Sequence, residues 1–148
     1  MDDTGDLGAL RQRQFRAVHV NAQDVARDVL ARLQSAADTS TVEALAGVFD
    51  DDEDVVLIGT TSHRLGQAGL REYLTLLVEA DGRPRWEWDS VHVFLDLPDA
   101  VGFACFGQVV VTEDGEPARA PIRMTAVAVR TRDGWRLRQF HGSLPSDW

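Results

Sequence analysis

The chain has 148 residues and 44% hydrophobic content, the size of one domain around one core, and no run approaches the roughly 18–20 apolar residues of a membrane span. Its formal net charge of −9 disfavours a nucleic-acid or anionic-membrane surface, because phosphate binding draws its energy from clustered cations. The polar, acidic start Met1-Asp2-Asp3-Thr4-Gly5-Asp6 has neither the apolar core of a secretory signal nor the arginines of a transit peptide, so cytoplasmic residence is expected.

In chain order, residues 1–20 read as a polar tail and residues 21–148 as a single domain. A first helix is predicted from Asn21, with Asp24 three residues on and an apolar stripe of Val25, Ala26, Val29, Leu30 and Leu33. A second capping box, Ser40 to Glu43, opens a short helix carrying Val42, Leu45, Ala46 and Phe49. The acidic run Asp50 to Asp54 ends it and reads as a solvated loop. Val55-Val56-Leu57-Ile58 is a β-branched run and a short strand. After the polar stretch Thr60 to Arg64, Gly66 precedes a third helix with Leu70, Tyr73, Leu74, Leu77 and Val78 on one face. Asp81-Gly82-Arg83-Pro84 is its expected stop.

From Arg85 onward the sequence reads as strand and turn. The runs are Arg85–Leu97, Val101–Thr112, Arg119–Thr131 and Trp135–Ser143, separated by Pro98-Asp99, by Glu113 to Pro117 and by Arg132-Asp133-Gly134. Helices followed by a meander predict an α+β fold: three N-terminal helices on a strongly curved antiparallel sheet. The lone cysteine, Cys105, sits in an apolar run and reads as a small buried hydrophobe. Its 15 basic residues are all arginine, which codon bias in a GC-rich genome explains.

This order of elements, with Gly66-Gln67-Ala68-Gly69-Leu70-Arg71-Glu72-Tyr73-Leu74 opening the third helix, resembles the nuclear transport factor 2-like superfamily. The ending Gly134-Trp135-Arg136-Leu137-Arg138-Gln139-Phe140-His141-Gly142-Ser143-Leu144-Pro145 resembles its SnoaL-like branch, and so does Arg123-Met124-Thr125 in the preceding strand. The resemblance implies a sheet wrapped as a cone around an apolar cavity, and dimers formed through the outer sheet face. The superfamily holds isomerases, cyclases, dehydratases, epoxide hydrolases and non-catalytic binding modules, so the fold leaves function open. Aligned on Arg64-Leu65-Gly66, Leu57 stands where ketosteroid isomerases carry their base, and Leu33 falls near their oxyanion tyrosine. That mechanism is therefore not expected.

Alternation along a strand sorts candidate pocket residues. On the last strand Trp135, Leu137, Gln139, His141 and Ser143 share one face, opposite Arg136, Arg138, Phe140 and Gly142. Adjacent arginines are costly to bury, so the first set is assigned inward and Phe140 outward, where it would serve a dimer. A three-residue loop at Arg132-Asp133-Gly134 pairs Thr131 with Trp135, setting Thr125 opposite His141 and Arg123 opposite Ser143. A two-residue turn at Asp133-Gly134 sets Ala126 and Met124 there instead. Trp86, Trp88, Ser90, His92 and Phe94 form one face of the first long strand, a roof for an apolar ligand or simply core or dimer surface.

Two principal functions follow. In the first, an isomerase, cyclase or hydratase-type enzyme acts on a small apolar, oxygenated molecule. Arg123 would polarise an oxygen and His141 move a proton, with Trp88, His92, Thr125, Gln139 and Ser143 binding the ligand. In the second, a non-catalytic binding or dimeric assembly module uses the same cavity as a receptor or not at all. A third places the curved outer sheet against another protein. No cofactor is expected, and His19, His63 and His92 lack metal-ligand spacing, so no metal is expected either.

Overall fold

The structure, a computed structural model, describes residues 20–60, 63–80 and 83–145. The predicted polar tail lies outside them, apart from Val20. Helix α1 spans Ala22–Thr39 and starts as expected: Asn21 is extended, and its side-chain oxygen accepts from the Gln23 amide at 2.8 Å. Its whole apolar stripe, Val25, Ala26, Val29, Leu30 and Leu33, is buried.

The second cap differs by one residue from expectation. Ser40 takes φ 58°, and its N–H closes α1 on the Ala36 carbonyl at 3.1 Å. A residue committed to that left-handed conformation cannot be the extended N-cap of the next helix. Thr41 does this instead, its hydroxyl accepting from Ala44 N at 3.2 Å to start α2 (Val42–Ala46). This helix is one turn long, and Phe49 lies beyond it, bridged to Leu137.

Strand β1 (Val56–Ile58) forms where expected. No element was assigned to the polar stretch after it, yet His63–Leu65 returns as β2, pairing antiparallel with β1. Helix α3 (Gly66–Glu79) begins on Gly66 itself, whose φ of 73° suits a residue without Cβ. It buries Leu70 and Leu74, with Tyr73, Leu77 and Val78 packed at the margin of the core. The Asp81-Gly82 stop lies outside the described residues.

The four long strands are β3 (Arg85–Asp96), β4 (Ala100–Glu113), β5 (Glu116–Thr131) and β6 (Gly134–Ser143). The sheet order is β2-β1-β6-β5-β4-β3. All neighbours are antiparallel except β1 and β6, which run parallel, so the sheet is mixed rather than purely antiparallel. Because β1 arrives after two helices rather than a hairpin, no tight turn dictates its direction. The helices lie against one side of the curved sheet. Val101, Phe103, Cys105, Met124, Ala126, Ala128, Leu137 and Phe140 meet them from the strands in one buried cluster. Burial of such side chains is worth roughly 1.5–3 kcal/mol each.

Helix α1 also closes an edge of the sheet. Gln34 accepts from Trp86 N at 2.8 Å and donates to the Pro84 carbonyl at 3.3 Å, and Gln23 donates to the Val91 carbonyl at 3.1 Å. Those backbone groups, of edge strand β3 and of Pro84 just before it, are thereby withheld from another chain's strand.

Three register shifts interrupt the ladder: between Trp88 and Ser90, between Val93 and Leu95, and opposite Val127/Ala128, where Arg138 is the extra residue of β6. Each extra residue bends its strand and reverses which side the following side chains take. At the first, the backbone of Glu87 comes so near Gly107 that a Cβ there would lie 2.0 Å from the Glu87 oxygen. Glycine is required at that crossing.

No helix among the described residues is long and apolar enough to cross a membrane. Cys105 is fully buried, as expected, and burial pushes its thiol up to about 12. A thiol-specific reagent at pH 8 should therefore leave Cys105 unmodified in the native protein and label it completely in denaturant. Labelling of the native chain at the rate of a free thiol would show that this wall of the core opens without unfolding.

Candidate functional site

The extra residue in β6 decides where the predicted site residues go. At the hairpin tip Thr131 pairs with Gly134 and Arg130 with Trp135, a register that neither expected turn provides. Gly134 is left-handed, with φ 104°, and the loop proper is Arg132-Asp133. The bulge at Arg138 then makes up one residue. Beyond it Thr125 pairs with His141 and Arg123 with Ser143, the pairing expected from the three-residue loop.

The same bulge overturns the inward assignment. Before it, Leu137 faces the helices, as expected. After it, Phe140 does, 8% exposed and edge-on to Phe49 with centroids 6.3 Å apart. Phe140 is therefore core, not the outward dimer residue. Gln139, His141 and Ser143 stand on the opposite side, facing away from the helices, and Arg123 and Thr125 stand beside them on β5. The bulge after Trp88 likewise splits the aromatic face of β3. Trp86 and Trp88 pack against the core cluster, while His92 and Phe94 are exposed on the far side.

On that outer face the pairs form rows across the strands. Ser90, Phe106, Arg123 and Ser143 make one row, and His92, Ala104, Thr125 and His141 the next. Gly102, Val127 and Gln139 make a third, with the Phe94 ring lying over Gly102. Arg123 Nε donates to Ser143 Oγ at 3.0 Å. A shallow concavity of about 290 Å³ lies over Ala104, Phe106, Arg123, Thr125, His141 and Ser143. Six of the seven expected site residues thus share one sheet face, and Trp88 does not. The cluster offers a guanidinium, two hydroxyls and an imidazole beside an aromatic ring, a set suited to holding an oxygen-bearing molecule.

A second polar feature was not foreseen. Asp50, expected in a solvated loop, is 4% exposed. Arg138 holds it through Nε at 2.7 Å and through its terminal nitrogen at 2.6 Å. The backbone locks the same place, with Asp50 N bonding the Leu137 carbonyl at 2.8 Å and Leu137 N the Val48 carbonyl at 2.9 Å. Hydrogen bonding to Asp50, together with its charge, raises the Arg138 guanidinium above its already high range. The pair borders a larger polar concavity of about 430 Å³, which reaches Asp99, Arg130, Arg132 and Arg136. The sequence signal for it was the doubled Arg-x-Arg spacing at 130/132 and 136/138 in an acidic chain. Among the described residues, no group of three or more His, Cys, Asp or Glu side chains is arranged to hold a metal ion.

Residues 26–147 match the family described as the SnoaL-like domain. No curated protein matches the chain in sequence. Among solved structures, one similar fold is a provisionally assigned dehydratase of the nuclear transport factor 2-like family from Streptomyces avermitilis (TM-score 0.73, 17% identity, covering 84% of this chain and 97% of that one). Another is a provisionally assigned calcium/calmodulin-dependent protein kinase II association domain from Xanthomonas campestris (TM-score 0.75, 20% identity, 87% and 91%). A third is a provisionally assigned aromatic ring hydroxylase from Novosphingobium aromaticivorans (TM-score 0.72, 19% identity, 87% and 94%).

The two polar clusters should respond differently to mutation. Asp50→Ala strips a buried partner from Arg138 and should cost about 2 kcal/mol, read as a lower urea midpoint at unchanged slope. Arg123→Ala removes an exposed side chain and should stay within about 0.5 kcal/mol. Equal losses would mean that the Asp50–Arg138 pair adds nothing to stability.

Proposed function

The chain belongs to the SnoaL-like domain family, and on that footing we propose that it is a dimeric small-molecule-binding module. Two copies pack outer sheet face against outer sheet face, and the concavity over Arg123, Thr125, His141 and Ser143 becomes a ligand site enclosed between them. One observation carries this reading: Phe94 and Phe106, exposed to 55% and 51%, stand on the same sheet face as these polar groups. Large aromatics left in water on a flat strand surface are characteristic of interfaces.

The distribution of charge supports it. Across the three rows of the outer face, Arg123 is the sole Asp, Glu, Lys or Arg, in a chain that is 26% charged. Further along the strands, charge returns. Glu87 accepts from Arg85 at 2.9 Å and from Arg119 at 2.6 Å, and Arg136 and Arg138 stand at the other end. A centre depleted of charge between polar margins is the anatomy of a protein interface. A two-fold axis would present the same patch to itself, so nothing beyond a second copy is required.

The ligand that suits the enclosed space is small and largely apolar, with an oxygen for Arg123 and the two hydroxyls. Burial between protomers would strengthen those hydrogen bonds, since water no longer competes. A catalytic role for Arg123 and His141 belongs to the same site: Arg123 polarises the ligand oxygen and His141 accepts its proton. The relatives of this fold include assembly domains and enzymes alike, so the fold itself does not choose between them.

Light scattering on the purified chain should give twice the 16.4 kDa protomer mass. Phe106→Lys buries one unpaired ammonium per copy beside Arg123 and should raise the dimer dissociation constant on the order of 100-fold or more. A wild-type chain that stays monomeric at tens of micromolar, by about the concentration where standard interfaces are occupied, would refute the proposal.

A further inference from the structure

Four of the chain's 15 arginines, Arg130, Arg132, Arg136 and Arg138, fall within nine consecutive residues. In a protein of net charge −9 no other nine-residue window holds as many arginines, and this one folds into the tip of the β5–β6 hairpin. The tip does not hang free. Arg130 N bonds the Asp99 carbonyl at 2.9 Å, tying it to the β3–β4 turn. The Asp50–Arg138 pair ties it to the segment after α2. These two connections border the concavity of about 430 Å³.

The four guanidinium groups are not equivalent. Arg138 is held through two of its nitrogens by Asp50, whose carboxylate is 5% exposed, and Asp52 lies 3.6 Å away as well, so Arg138 serves first as wall. The carboxylate nearest Arg136 is the 72%-exposed Asp133, at 3.7 Å, beyond hydrogen-bond reach. Arg130 and Arg132 form no ion pair among the described residues. Three donor forks therefore border one concavity with no side-chain hydrogen bond to a carboxylate among the described residues, although Asp51, Asp99 and Asp133 also line it. The acidic side chains there are not gathered for a cation: Asp50 is turned to Arg138, and no metal-holding group of carboxylates occurs among the described residues.

We propose that this hairpin-tip concavity binds the oxyanion head of a small ligand, a phosphate or a carboxylate, through Arg130, Arg132 and Arg136. A guanidinium presents parallel N–H donors in a fixed plane and stays charged at every working pH, which suits it to either head group. The buried Asp50–Arg138 pair fixes one wall, so the donors are held by a rigid hairpin rather than gathered at the moment of binding. The site is separate from the outer-face concavity. Val129, which borders it, is four residues along β5 from Thr125, roughly 13 Å at strand spacing.

The test is calorimetric titration of the full chain with sodium phosphate and, separately, sodium succinate, at constant ionic strength. The wild-type chain should bind one of them with a dissociation constant on the order of 1 mM or tighter. The double variant Arg132→Gln/Arg136→Gln should weaken that binding at least about 10-fold, as expected for loss of charge-assisted contacts. Arg132→Gln alone, at an exposed turn position, should weaken it measurably and serves should the double variant be unstable. Arg123→Gln, on the outer face, should leave it unchanged, which separates this site from the proposed dimer site. Preference for phosphate identifies a tetrahedral head group and preference for succinate a planar one. Wild-type and double-variant chains that bind alike, or a wild-type chain that binds neither anion, would overturn the proposal.

Discussion

One additional residue in β6 governs the arrangement of everything near the sheet's centre. Without the bulge at Arg138, strict alternation would set Leu137 and His141 on one side and Phe140 with the arginines on the other. With it, Leu137 and Phe140 both enter the core, and His141 and Ser143 turn outward. Arg138, the extra residue itself, delivers its guanidinium to Asp50. The bulge is stabilised from both directions. Phe49 packs on Phe140 on one side, and the backbone of Val48 and Asp50 bonds Leu137 on the other. Packing and polar satisfaction agree on one register, which is what makes a single register dominate.

This explains which parts of the structure could be read in advance. The α1 stripe, the four long strands and the β1 run were legible because each repeats its pattern over several residues, and repetition averages out local exceptions. Single-residue events were not legible. Ser40 and Thr41 are both acceptable caps by type, and only the left-handed φ of Ser40 decides between them. Strand β2 has no pattern of its own and exists because β1 offers it an edge. The bulges were the costliest omission, since each inverts every later side chain on its strand. Gly102 and Gly107 inside β4 were the visible signs of close approaches opposite β3, although nothing in β6 marked Arg138 as the extra residue.

The candidate site was thus half legible. Arg123 opposite Ser143 and Thr125 opposite His141 emerged from counting along the hairpin. The count assumed a longer tip and no bulge, and those two departures cancel in register. They do not cancel in facing, because facing depends on the parity within β6 alone. The group was correctly assembled and set on the wrong side of the sheet. Trp88 separated from His92 for the same reason on β3.

The outward turn has an electrostatic logic. Had Arg123 pointed at the helices, its guanidinium would have entered the apolar core cluster, where no carboxylate of α1 is buried to receive it. A charge in such surroundings costs several kcal/mol unless paired. Asp50, the one buried carboxylate among the described residues, is already matched to Arg138, whose side chain remains partly open to solvent. An all-arginine chain has to solve this repeatedly, since guanidinium does not shed its proton when buried. Arg123 is left to water and the Ser143 hydroxyl, and Arg138 is given the buried acid. The remaining arginines of the hairpin gather where three loops meet. The helix-facing side of the sheet can then be assembled from apolar side chains alone, which leaves the outer face and the hairpin tip as the surfaces where polar chemistry is exposed.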